Sequence, residues 1–360
     1  MANPQRTNDT AILPTSNMSN EEKTLMCKKA GWFGKKDVPA PVSVAPVMAP
    51  PLYADLGKKA NDVFNKGYHF GLLKLDCKTK TAGGVELSTG GNSNQDSGKV
   101  FGSLETKYKV KDPNVTFTER WTTDNNLFTE VSAQDYFLNG LKTAGNVTFQ
   151  PPTGAVKGQI KLAYNQEKVA LNADFDVDKD KPLINAAAVV GHQGWLAGYQ
   201  AAFDVNDVKL TKNNFALGFQ TTDFTIHTSV ECPMPSDSDG TDDGGENENE
   251  NDDGNDGDGS SSDGQIFKGS FYQKISPKLE SAVQIAWKSD NQETQFGLGT
   301  SYIIDQDASL RAKVDNKCLV GLGYQQRLRE GVVLTLSLLV DGQNFNSGGH
   351  KVGMALELEG

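Results

Sequence analysis

From about residue 70 onward the chain alternates apolar and polar positions. In VALNADFDV (169–177), Val169, Leu171, Ala173, Phe175 and Val177 share one face, and Asn172, Asp174 and Asp176 lie on the other. SAVQIAW (281–287) sets Val283, Ile285 and Trp287 against Ala282, Gln284 and Ala286, and GMALEL (353–358) puts Met354, Leu356 and Leu358 on one side. NFALGFQT (214–221) and FTIHTSVE (224–231) continue the theme. A period of two marks a strand with two unlike faces. About nineteen such segments of roughly 8–11 residues follow one another, joined by tight turns rich in Asn, Asp, Gly, Lys and Pro; that is the length a tilted strand needs to cross a bilayer.

One segment before the strands has a different period. In LYADLGKKANDVFNK (52–66), Tyr53, Leu56, Ala60, Val63 and Phe64 follow helical spacing, with Asp55, Lys58, Lys59 and Asp62 on the other face. So narrow an apolar stripe predicts a helix lying along a surface with its charged side wet. KGYHFG (66–71) then supplies a flexible break through Gly67 and Gly71.

The strand count decides which face meets what. A barrel of about nineteen strands is too wide for side chains to fill, so its polar face lines water and its apolar face meets lipid. The pattern alone leaves a soluble pair of β-sandwiches as the alternative. A helical membrane protein is not expected: the richest apolar run, PLINAAAVVG (182–191), is too short and too polar to span.

Composition changes this picture at one place. The chain of 360 residues carries a formal charge of -11, yet twelve acids and no Lys or Arg fall within 236–263, and elsewhere 34 acids face 35 bases. The stretch PMPSDSDGTDDGGENENENDDGNDGDGSSSDG (233–264) cannot fold by burial and reads as a disordered insertion in a hairpin turn. Its oxygen-rich side chains suit calcium, but no complete EF-hand loop is present, so a solvated acidic loop is the plainer reading. Residues 1–49 read as a disordered extension without a secretory signal, and the Pro-rich DVPAPVSVAPVMAPP (37–51) as an extended linker at its end. Cys27, Cys77, Cys232 and Cys318 form no CxxC pair and no zinc spacing, and the four histidines are isolated. No metal, cofactor, nucleic-acid partner or enzymatic site is expected.

The segments now in hand resemble a known family. PPLYADLGKKANDVFNKGYHFGLLKLDCKTK (50–80), GSLETKYKV (102–110), TFTERWTTDN (116–125), GHQGWLAGYQ (191–200), LVGLGYQQRL (319–328) and GGHKVGMALEL (348–358) resemble, in order, the mitochondrial voltage-dependent anion channels. The resemblance implies a nineteen-stranded barrel in the mitochondrial outer membrane, its first and last strands parallel. It implies an N-terminal pore helix and linker (50–69), with the barrel over 70–360. The implied function is passive passage of ions, nucleotides, phosphate and organic anions, with voltage gating. Lipid, the solutes in transit, a second copy and other outer-membrane proteins are the implied partners. KVGMALEL (351–358) resembles the family's targeting signal. A membrane receptor or scaffold with little transport is the rival function, favoured by the two appendages. The acidic loop, and Asn61 where some relatives carry a basic residue, shift the expected selectivity toward cations.

Three groups of residues are candidates. Glu119, in VTFTERW (115–121), shares a face with Val115, Phe117 and Trp121, where an ionised carboxylate is costly. The resemblance implies a gating acid there; a local register slip or a thinned bilayer is the alternative. Lys58, Lys59 and Lys66 would present positive charge to passing anions if the helix lies in the lumen, and otherwise form a solvated helix face. The resemblance further implies a loose nucleotide contact at Leu319, Val320 and Gly321, with Ser337, Leu338, Leu339, Val340 and Asp341; packing and turn roles are the alternative.

Overall fold

In the computed structural model the described residues are 49–177, 182–233, 264–290, 294–346 and 348–360. The expected disorder of 1–49 and 233–264 falls almost wholly outside them. Nineteen strands form one sheet closed on itself. They run in chain order from β1 (Leu72–Lys80) through β19 (Lys351–Glu359). Strands of eight residues, such as β4 (Val115–Thr122), to twelve, as in β11 (Lys209–Gln220), match the lengths expected from the alternation. Consecutive strands pair antiparallel, and β1 closes against β19 in parallel, Leu73 opposite Met354 and Cys77 opposite Leu358. An odd strand count leaves no other closure.

Strand parity sorts every turn onto one of two rims. β1 begins at the first rim and ends at the second, where Lys80 N donates to Gly360 O (3.3 Å). β12 (Phe224–Pro233) is even and β13 (Ile266–Ser276) is odd, so the acidic segment leaves and rejoins the barrel at the first rim.

The outer face is apolar. Leu75, Leu104, Phe117, Trp121, Leu217 and Leu298 are exposed there. The inner face carries the polar side chains, among them Asn146 on β6 (Leu141–Gln150), Gln159 on β7 (Ala155–Asn165) and Asp176 on β8 (Val169–Val177). These bond in a ladder: Asn146 Nδ2 donates to Gln159 Oε1 (3.1 Å), and Gln159 Nε2 donates to Asp176. A soluble sandwich would bury its apolar faces between sheets; here one closed sheet exposes them. No helix among the described residues is long and apolar enough to cross a membrane.

The predicted helix is shorter than its sequence pattern. Tyr53–Asp55 is a 3-10 turn, and the α-helix α1 spans only Lys58–Asn65. Gly57 separates them at φ 73, a left-handed conformation that breaks the helical path and that glycine adopts without strain. Ala60, Val63 and Phe64 are buried against Tyr272 on β13 and Ala282 on β14 (Leu279–Lys288). The helix therefore lies inside the barrel.

Candidate functional site

The lumen wall is built to receive residues 50–70. On β15 (Thr294–Ile303) a Cβ at Gly299 would lie 3.0 Å from Val63 Cγ1, and on β17 (Leu319–Arg329) one at Gly323 would lie 2.6 Å from Gly67 O. Only a residue without a side chain lets the segment come so close. At the first rim Gln95 N donates to Gly71 O (2.8 Å), and Lys351 pairs with Asp96 at 2.6 Å beside it. Pro50 is packed at Gly191, next to the turn between β9 (Leu183–His192) and β10 (Trp195–Asp204) on the second rim. The segment thus crosses the lumen from rim to rim.

Two luminal cations hold the end of α1. Arg311 and Lys313 are alternate residues on β16 (Ala308–Asp315), so both point inward. Arg311 Nη1 donates to Asp62 O and to Lys66 O, each at 3.2 Å. Lys313 Nζ donates to Phe64 O at 2.8 Å and stands 4.6 Å from the centre of the Tyr68 ring. The last carbonyls of a helix lack intrahelical partners and carry the negative end of its dipole, so cations suit that end. Burial pushes the Tyr68 phenol up to about 12, and its hydroxyl is buried without a partner.

The three helix lysines are less free than the sequence suggests. Lys58 pairs with Asp55 at 2.7 Å and Lys66 with Asp62 at 2.8 Å. The hydrogen bond that Lys58 Nζ donates to Asp55 raises the Lys58 pKa. Lys59 Nζ lies 5.8 Å from the centre of the Tyr272 ring. Arg311 and Lys313 were absent from the sequence candidates. Their signal was two cations at alternate positions on the polar face of one strand.

The nucleotide candidates do not converge. β17 and β18 (Val332–Asp341) pair Leu319 with Asp341, Val320 with Val340, Gly321 with Leu339 and Leu322 with Leu338. Parity turns Leu319, Gly321, Ser337, Leu339 and Asp341 inward, whereas Val320, Leu338 and Val340 face outward with the exposed Leu322 and Leu336. A contiguous run cannot line one face of a strand. The inward positions are partly covered as well: a Cβ at Gly321 would be 2.7 Å from Phe70 Cζ, and Ser337 Oγ accepts from His69 N (3.0 Å). The eight residues therefore do not form one contact surface.

Glu119 lies on the outer face between Phe117 and Trp121, which are 45 % and 55 % exposed. Its cross-strand neighbours are Thr106 on β3 (Val100–Val110) and Thr129 on β5 (Leu127–Gln134). The register does not slip there, so the carboxylate stands in an otherwise apolar band, flanked by two hydroxyls.

A family model described as eukaryotic porin matches residues 49–233 and 259–353. The chain belongs to the eukaryotic porins. The match is interrupted over much of the acidic segment. A "Voltage-dependent anion-selective channel" of Drosophila melanogaster is 54% identical over 312 residues, covering 87% of this porin and 100% of that protein. A "Non-selective voltage-gated ion channel VDAC2" of Xenopus laevis is 52% identical over 310 residues, covering 86% and 99%. The human protein of the same name is 49% identical over 314 residues, covering 87% and 96%. As a eukaryotic porin the chain is an integral outer-membrane channel and not an enzyme. Among the described residues no group of His, Cys, Asp and Glu is arranged to hold a metal ion.

Proposed function

We propose that this porin is a passive, voltage-gated channel of the mitochondrial outer membrane, passing ions and small metabolites such as nucleotides, phosphate and organic anions. One observation carries the reading: a closed nineteen-stranded barrel with an apolar outside, a polar inside and a helix laid along the inner wall. The names of the relatives support it. Lys58, Lys59 and Lys66 contribute to the luminal charge, with the first and last tempered by their acids. Glu119 is the gating acid of the lipid-facing wall and a contact for a second copy.

Selectivity is shifted toward cations. Twelve acids are tethered at the first rim, and the rest of the chain is almost neutral. Such a charge draws cations to that mouth and repels anions. At about 0.15 M salt the Debye length is about 8 Å, so the effect is large in dilute salt and fades in concentrated salt. The test is a planar-bilayer recording under a salt gradient, on the whole chain and on a form lacking 236–263. The expected result is a conductance that falls at high voltage of either sign, and a reversal potential that moves toward anions when the segment is removed. Equal reversal potentials at low salt refute the selectivity claim. Absence of conductance favours the receptor or scaffold reading instead.

A further inference from the structure

The turns of the second rim are polar at their tips with one exception; the exposed Ile304 is not that exception, because it sits at the base of the turn between Ile303 and Ala308, whose tip is DQD (305–307). KDPN (111–114) and QEK (166–168) are the neighbours of DYFLNG (135–140), which joins β5 to β6. In that turn Tyr136, Phe137 and Leu138 are 59%, 72% and 54% exposed. Three consecutive exposed apolar residues are a cost to a free surface unless something covers them.

The turn is held, not loose. Gly140 N donates to Asp135 Oδ1 (2.7 Å). Asp135 N donates to Leu141 O (2.9 Å), and Leu141 N to Leu138 O (3.0 Å). Its base is tied to the turns on both sides: Asn165 N donates to Gly140 O (2.9 Å), and Asn114 Nδ2 to Gln134 O (3.2 Å). A fixed base therefore carries three apolar side chains outward, with Tyr136 and Phe137 packed edge to face at 4.9 Å.

We infer that this turn is a bilayer anchor: Tyr136, Phe137 and Leu138 insert among the lipid headgroups at the second rim. The inference rests on the membrane reading of the barrel. Three observations favour lipid over a protein partner. The turn continues the lipid-facing wall, since Val131 and Leu141 of its own two strands face outward on either side of it. Its only ionisable groups are the Asp135 carboxylate, already bonded within the turn, and the Tyr136 phenol, so no charge selects a protein partner. Three side chains, at about 150–250 Å² for each aromatic, fall short of the roughly 800 Å² per partner of a stable protein interface. Aromatic residues with a polar tip are the usual occupants of the headgroup layer.

The anchor lies near the candidate gating acid. Thr129, which pairs with Glu119, is five residues before Gln134 on β5, or roughly 17 Å along the strand. Fixing the turn in the headgroups fixes how deep Glu119 sits.

The test places a nitrobenzoxadiazole label on single cysteines in the full chain with Cys27, Cys77, Cys232 and Cys318 replaced by serine, in liposomes of the purified protein. Phe137→Cys probes the anchor, Gln306→Cys the polar tip DQD (305–307) of another turn on the same rim, and Phe117→Cys the lipid-facing wall. The label at 137 is expected to be quenched at least twofold more by lipids bearing a shallow nitroxide than the label at 306, and to be shielded from aqueous iodide. Quenching at 117 with 137 behaving like 306 overturns the anchor and leaves the membrane reading intact. Absence of lipid quenching at 117 as well defeats the membrane reading, and the anchor with it. Because the label itself adds apolar area, a second measurement uses Tyr136→Ser with Leu138→Ser beside the label at 137. Lipid quenching should then fall toward that at 306, and quenching that stays unchanged also overturns the anchor.

Discussion

Replacing Arg311 with glutamine should loosen the pore helix while leaving the barrel intact. The guanidinium donates to two carbonyls at the end of α1, and a hydrogen bond from a charged donor contributes about 1.5–3 kcal/mol when well made. Both bonds here are long, share one nitrogen and face a wet lumen, so together they fall at about the low end of that range. Charge at a helix C-terminus adds about 0.3–1 kcal/mol. Arg311 Nε is buried without a partner; beside a wet lumen that cost lies at the low end of its range, about 1 kcal/mol, and it disappears in the variant. The net loss is about 1 kcal/mol, or roughly a fivefold rise in the released helix. Hydrogen exchange of amides 58–66, measured in the reconstituted chain, should speed up by about that factor, with the strands unchanged. Arg311→Lys should fall between, keeping the dipole contribution and losing the bridge. Unchanged helix exchange in Arg311→Gln, or an equal acceleration in β15–β17, refutes the latch.

Three further outcomes follow from the same geometry. Gly299→Val puts a side chain where Val63 and Phe64 now lie, so trypsin should cut after Lys59 and Lys66 in this variant while the barrel stays resistant; resistance at both lysines refutes the close packing. Glu119→Gln should raise the urea midpoint of the barrel in lipid, by up to about 2 kcal/mol of stability, because it removes a charge from the apolar band; an unchanged midpoint counts against the lipid-facing cost. Burial raises the phenols of Tyr53 and Tyr68 from 10.0 to about 12. The folded state favours the protonated form, so this stabilisation is full below 10 and is lost as pH rises through about 12; phenolate absorbance titrated against Tyr68→Phe checks it, and two identical titration curves refute it.

Much of the fold was legible because a barrel is written in parity. β8 begins and ends where the alternation at 169–177 does, and Glu119 lies on the face that the spacing of Phe117 and Trp121 assigns. The insertion was read between two strand patterns, and β12 ends at Pro233 and β13 begins at Ile266. Parity was also enough to divide the run Leu338–Val340 between two faces, so the nucleotide candidates could have been split from the sequence alone. Two features could not be read so. Gly57 stands inside an amphipathic pattern, and only its left-handed backbone separates the 3-10 turn from α1. The contact of Arg311 with Asp62 spans 249 positions, and no local pattern encodes which wall a luminal helix will choose.

Those long-range contacts also decide how charge counts in the pore. Composition outside the acidic segment is nearly balanced, which by itself describes no field. In the folded lumen Lys58 and Lys66 are offset by acids of their own segment, so α1 brings little net charge into the passage. Arg311 and Lys313 direct their donors at helix carbonyls, which orients two of the fixed cations toward the wall. The positive charge available to a passing anion is therefore smaller than the count of lysines and arginines suggests. The twelve acids of 236–263, with no Lys or Arg among them, are the largest local imbalance of charge in the sequence. Parity joins the two ends of that segment to the first rim and sets the C-terminus at the second, so on the proposed reading the reversal potential in dilute salt should depend on which mouth faces the dilute side, and equal values for both orientations refute it.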